Sequence, residues 1–139
     1  MNRTIKFRGT TIRTYDPLTR LIKGTWVEGD LKQQGEFCAI DNGNNTIEVD
    51  TDSVGQYIGL QDTSTPPKDI FEGDIIEGKT GIRHLIKYDE ESAAFIAYKL
   101  PINEFDNGCH IENDWVVKYE KKVIGNVHDN PELLKKEEK

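Results

Sequence analysis

The residues able to do chemistry are few and scattered along the 139-residue chain: His84, His110 and His128, Cys38 and Cys109, and Ser53, Ser64 and Ser92. A zinc site needs several His, Cys or carboxylate ligands converging, and the closest approach in sequence is the adjacent pair Cys109-His110. On a strand, neighbouring side chains point to opposite faces, so this pair cannot close a tetrahedral site. Cys38 lies in the apolar run Phe37-Cys38-Ala39-Ile40, where burial raises a thiol pKa and quenches its nucleophilicity. The serines stand beside turn or loop signals, and none is in a nucleophile elbow. Gly55, Gly59, Gly73, Gly78 and Gly81 match neither the phosphate-loop nor the dinucleotide spacing. These residues predict no catalytic group, no metal and no cofactor, and hence a protein that is not an enzyme.

Two looser constellations remain. Val27-Glu28-Gly29-Asp30-Leu31 and Phe71-Glu72-Gly73-Asp74-Ile75 share Glu-Gly-Asp followed by an aliphatic residue. Were the two segments neighbours in the fold, their carboxyls could act as acid and base. The commoner use of such an aspartate is to accept backbone N–H groups in a turn. The echo therefore reads as one local solution used twice, a glycine bend beside a hydrogen-bonding Asp. The second constellation is Arg3, Lys6, Phe7, Arg8, Arg13 and Tyr15. It could touch nucleic acid, giving an accessory role as the alternative reading. A basic, solvated strand edge that discourages aggregation explains it equally well.

Charge decides between these only in part. Eighteen Lys and Arg against 25 Asp and Glu give a net charge of −7 and a pI near 5.0, which opposes unaided binding to DNA or to an anionic membrane. The longest apolar run, Ala93 to Tyr98, is six residues, against the roughly 20 needed to span a bilayer as a helix. The N-terminal residues are basic with no apolar stretch behind them, so no secretory signal is expected there. Two isolated cysteines fit reduced thiols in the cytoplasm.

The elements that must position these groups read as β. Hydrophobic residues are 35% and charged residues 31% of the chain, which fits a single small β domain with a thin core. Residues 25–31 make a half-buried strand. Residues 36–40 and 46–50 flank Asp41-Asn42-Gly43-Asn44-Asn45 as a hairpin. Residues 54–60 make a short strand kinked at its glycines, and residues 61–69 an exposed loop. Strands follow over 70–77, 82–88 and 94–100, and residues 115–119 and 122–127 close the β pattern. The expected organisation is an N-terminal hairpin region over 1–60, a loop over 61–69, a C-terminal half over 70–131 and a charged tail over 132–139, together one compact unit. One helical turn or disorder is expected in the tail.

Four segments together resemble the YopX-like proteins of phages and prophages. They are Ile5-Lys6-Phe7-Arg8-Gly9; Trp26-Val27-Glu28-Gly29-Asp30-Leu31; Val54 to Asp62 leading into Ile70-Phe71-Glu72-Gly73-Asp74-Ile75; and Val123 to Leu134 with its Gly125-Asn126-Val127-His128-Asp129 centre. The resemblance spans nearly the whole chain in order. It departs at Thr63-Ser64-Thr65-Pro66-Pro67 and in the insert 101–114. The resemblance implies a mainly β fold whose C-terminal half is a small SH3-like barrel, an origin in a mobile element, and no catalytic residue to carry over. It points to a binding or assembly module.

A β protein of this length with short strands leaves sheet edges to be capped, which makes a protein partner, above all a second copy, the expected one. The insert 101–114 sets Ile102, Phe105 and Ile111 among polar residues, and these three are the expected apolar anchors of that interface. Nucleic acid and membrane are not expected partners.

Overall fold

Alternating buried and exposed side chains build β-strands through most of the computed structural model, which describes residues 4–103 and 105–134. Strand accounts for 45% of the chain, arranged in two antiparallel sheets, with one α-helix. The chain divides into two compact units, Met1–Tyr57 and Ile58–Lys139.

The first unit contains β1 (Phe7–Thr10), β2 (Trp26–Gln34), β3 (Phe37–Asp41), β4 (Thr46–Val49) and the start of β5 (Gly55–Gln61), in the spatial order β4-β3-β2-β1-β5. Register explains its core. Leu31 faces Ile40, Ile40 faces Ile47 and Cys38 faces Val49, so every second residue of the hairpin falls on one face. Cys38, Ile40, Ile47 and Val49 are buried there with Val27, and Phe7, Leu21, Leu31 and Val54 pack against them. The predicted hairpin turn is held by side chains. Asp41 Oδ1 accepts the Gly43 N–H at 2.9 Å, and Asn42 Oδ1 accepts those of Asn44 at 2.9 Å and Asn45 at 2.8 Å. Contrary to the expected solvated edge, β1 is an interior strand, paired with β2 on one side and β5 on the other. Its Gly9 leaves room for Val49, which a Cβ would meet at 2.9 Å.

In the second unit β5 continues and pairs with β6 (Asp69–Phe71). A separate sheet has the order β10-β9-β8-β7-β11, built from β7 (Asp74–Glu77), β8 (Arg83–Asp89), β9 (Ala94–Lys99), β10 (Cys109–His110) and β11 (Lys122–Asn126). Helix α1 (Asn113–Lys118) precedes β11. Ile70, Ile76, Ile86, Ala97 and Val116 form the core, covered by Ile58, Leu60, Ile111, Trp115 and Val123.

Four expectations are corrected here. The five-stranded sheet is not closed into a barrel. Its edges are β11 and the two-residue β10, and before β10 the side chains of Asn103 and Asp106 are used in local turns: Asn103 Oδ1 accepts the Phe105 N–H and Asp106 Oδ1 that of Gly108. Residues 70–77 are two strands rather than one. The chain turns at Gly73, whose φ is 93°, and Asp74 Oδ2 accepts the Phe71 N–H at 2.8 Å. Residues 115–119 are mostly helix. Trp115 and Val116 both turn inward while Val117 and Lys118 are exposed, a spacing a helix satisfies and a strand does not. Finally, the two Glu-Gly-Asp segments are different structures. Gly73 makes a turn, whereas Gly29 sits inside β2 because a Cβ there would lie 2.0 Å from the Asp41 carbonyl oxygen. Of the charged tail, Pro131–Leu134 form a 3-10 turn, and residues 135–139 lie outside the described residues.

Candidate functional site

Between β1 and β2 the chain leaves the sheet as an arm, residues 11–25. Backbone bonds run along it from Thr11 N–H to the Thr25 carbonyl at 3.0 Å, Lys23 N–H to Thr14 at 3.2 Å and Asp16 N–H to Leu21 at 3.0 Å. Threonines tie its base. Thr11 Oγ1 donates to the Ile22 carbonyl at 2.8 Å and accepts the Thr25 N–H at 3.2 Å, and Thr25 Oγ1 donates to the same carbonyl at 2.6 Å. At the tip Pro17 fixes the turn and Asp16 Oδ1 accepts the Leu18 N–H at 3.0 Å. Between this arm and the β2-β3-β4 sheet lies an open cleft of about 970 Å³. Arg13, Leu18 and Leu21 line it from the arm, and Lys32, Phe37 and Glu48 from the sheet. Leu18 is 78% exposed and Phe37 66%. Ile12, Tyr15 and Ile22 are further exposed apolar side chains of the arm. The arrangement offers apolar surface rimmed by both signs of charge, which suits recognition rather than bond-making.

The second unit carries a different cluster. Lys121 is 3% exposed. Its Nζ lies over the Trp115 ring at 4.7 Å and 3.4 Å from His84 Nδ1, and His84 meets Trp115 edge to face at 5.1 Å. Burial, then the Lys121 charge, pushes the His84 pKa down to about 4, with Lys99 adding to this and Asp106 opposing it. Neutral His84 can therefore accept a hydrogen bond from the ammonium. Burial likewise lowers Lys121, offset by Cys109, while burial raises Cys109, offset by Lys121. Nearby, the buried Asp62 carboxylate collects four hydrogen bonds. Oδ1 accepts the N–H groups of Ser64 at 3.0 Å and Lys68 at 2.8 Å, and Oδ2 accepts Ser64 Oγ at 2.9 Å and the Val123 N–H at 2.9 Å. Lys121 thus ties α1 to the sheet through Trp115 and His84, and Asp62 ties the loop of Ser64 and Lys68 to β11.

A family model described as YopX protein matches residues 19–135. The chain belongs to the YopX family. Comparison with curated proteins found no match. The match begins just after the tip of the arm, at Thr19, and runs through the cleft-lining strands and the whole five-stranded sheet of this YopX-family chain.

The residues singled out from the sequence fare unequally. Ile102 is exposed and Phe105 is 84% exposed, whereas Ile111 packs on the core of the second unit. These three do not form one patch of equal accessibility. Of the acids, Glu28 lies 3.8 Å from Lys6, Asp30 is exposed, Glu72 is half-buried and Asp74 is a buried turn acceptor. Of the basic set, Lys6 Nζ stands 5.1 Å over Tyr57 and Arg8 lies 4.5 Å over Trp26, stacked inside the first unit. Arg3 lies outside the described residues. The arm and Lys121 had escaped notice. Asp16-Pro17 at the tip and Gly24 at the base, set among apolar Ile12, Leu18, Leu21 and Ile22, are the sequence signal by which the arm could be found.

Proposed function

We propose that this YopX-family protein is a non-enzymatic binding module of phage or prophage origin, working in the cytoplasm, whose N-terminal cleft takes an extended apolar segment of a protein partner. The observation that carries this reading is the cleft itself. Its volume is at the upper end of the roughly 300–1,000 Å³ of small-molecule sites, yet it is open, and Leu18 and Phe37, which line it, are themselves largely exposed. An open cleft whose apolar lining side chains stay exposed favours a macromolecular segment over an enclosed small ligand. The C-terminal sheet, in which the last strand returns beside the first around a three-strand meander, supports an SH3-like reading of that half as an opened barrel.

Selection of a random peptide library on the immobilised full chain tests the cleft. Enriched peptides sharing apolar residues, with binding lost in Phe37→Asp and kept in Phe105→Asp, are the expected result. Peptides bound equally by Phe37→Asp, or no enrichment at all, overturn it. Phe37 is exposed, so the substitution leaves the core untouched.

A further inference from the structure

Resting on the cleft as a binding site for an extended segment, we infer that the segment enters as a β-strand, hydrogen-bonded to the outer edge of β4. That edge has a readable pattern. The Asn42 N–H donates to the Asn45 carbonyl at 3.1 Å, and bonded pairs recur at every second position of an antiparallel ladder. Through the register, Ile40 with Ile47 and Cys38 with Val49 are therefore the bonded pairs. Thr46 and Glu48 aim their backbone N–H and C=O groups away from β3. Asp50, next in that series, does the same and donates its N–H to the Thr10 carbonyl at 2.8 Å. At that end β4 has a neighbour, where Thr11 bridges Val49 in antiparallel sense. The bridge is isolated. Beyond it the arm pairs with itself, Thr11 N–H to the Thr25 carbonyl and Gly24 N–H to that of Thr11. The cleft lies beside β4 instead, lined by Thr46, Ile47 and Glu48 with Arg13 and Leu21.

The other sheet edges among the described residues are guarded. Strand β6 is three residues long and β10 two. Strand β11 shifts register between Val123 and Gly125, its Val123 N–H donates to Asp62, and the Lys121 carbonyl just before it accepts the Thr63 N–H. Short length, a bulge or a covering loop each discourages a foreign strand from adding. Strand β4 runs over four residues in unbroken register with β3, and its Thr46, Ile47 and Val49 are β-branched. An added strand would lie about 4.8 Å beyond it, on the side where the cleft opens. Side chains of that strand would alternate between two surroundings. Cys38 and Ile47 line the cleft on one face of the sheet, Ala39 and Glu48 on the other. The occupant is therefore an extended peptide with apolar residues at every second position.

Residue-resolved amide exchange on the full chain tests this, measured by NMR alone and with a synthetic linear peptide selected from a random library on the immobilised protein. The Thr46 and Glu48 amides should exchange fast alone and about tenfold or more slowly with the peptide bound. N-methylation of the peptide should weaken binding about tenfold at alternate residues, where a strand bond is lost, and be tolerated between them. Glu48→Pro removes an N–H that points away from β3, a place an edge strand accepts proline, and should weaken binding similarly, whereas Glu48→Ala should not. If Glu48→Pro fails to fold, the N-methylated peptides still decide. A peptide that binds while both amides stay unprotected, or that tolerates N-methylation at every position, overturns strand addition and leaves the cleft standing. Protection already present without peptide and lost on dilution assigns the edge to a second copy and overturns the peptide as occupant. No selected peptide at all overturns the cleft and strand addition together.

Discussion

At the scale of single residues, the buried Asp62 and the half-buried His84 of the second unit should give this protein two separable responses to acid. Desolvation works to raise the Asp62 pKa, and the bonds from Lys68, Val123 and Ser64 outweigh it, so the carboxyl lies below its ordinary 3.8. The unfolded chain then takes up the proton first as pH falls. Stability from Asp62 is complete above 3.8 and is lost as pH falls through the lowered folded value. Asp62→Asn replaces one acceptor by a donor and should cost about 3 kcal/mol at neutral pH, measured by urea unfolding, with the deficit shrinking only in strong acid. His84 behaves otherwise. Its folded pKa of about 4 lies below the ordinary 6.5, so its neutral form is favoured by the fold. Its contribution is complete above 6.5 and declines between 6.5 and about 4. Against His84→Asn, which keeps an acceptor for Lys121, the wild-type advantage should fall by about 2 kcal/mol over that interval, after discounting for partial exposure. A constant gap would assign the acid response to other groups.

At the scale of elements, legibility in the sequence followed the source of each element's stability. The hairpin over β3 and β4 was readable because strict alternation sets its core face and Asp41, Asn42 and Gly43 supply the turn locally. The same local logic exposed the β8–β9 hairpin. Helix α1 was misread because its six residues are too few to show a helical period, and β-branched Val116 and Val117 mimic a strand. Tertiary burial of Val116 and Trp115 fixes it as a helix. The open sheet was equally hidden, since the Asx turns at Asn103 and Asp106 look like any loop until the register leaves β10 two residues long. The candidate site was legible least of all. A cleft between arm and sheet depends on threonine bonds between Thr11, Ile22 and Thr25 that no period in the sequence announces, and Leu18 or Phe37 alone is an unremarked apolar residue.

At the scale of the whole molecule, a single short chain supports two cores with no residue in common. Val27, Cys38, Ile40, Ile47 and Val49 make one, and Ile70, Ile76, Ile86, Ala97 and Val116 the other. A side chain removed from one cluster leaves a cavity whose lining belongs to that cluster, so the cost should stay local. Ile40 and Ile86 are both fully buried and represent the two cores. Ile40→Val and Ile86→Val should each cost about 1 kcal/mol, and the double substitution should cost their sum to within about 0.5 kcal/mol. Strand β5 is the element that tests this independence most severely, since it pairs with β1 at Gly55 and Gln56 and sends Ile58 and Leu60 into the second core. If strain in one core were passed along β5 to the other, the double variant would depart from the sum. Chemical unfolding of the four proteins at one pH therefore reads whether these cores act as one energetic body or as two joined by a shared strand.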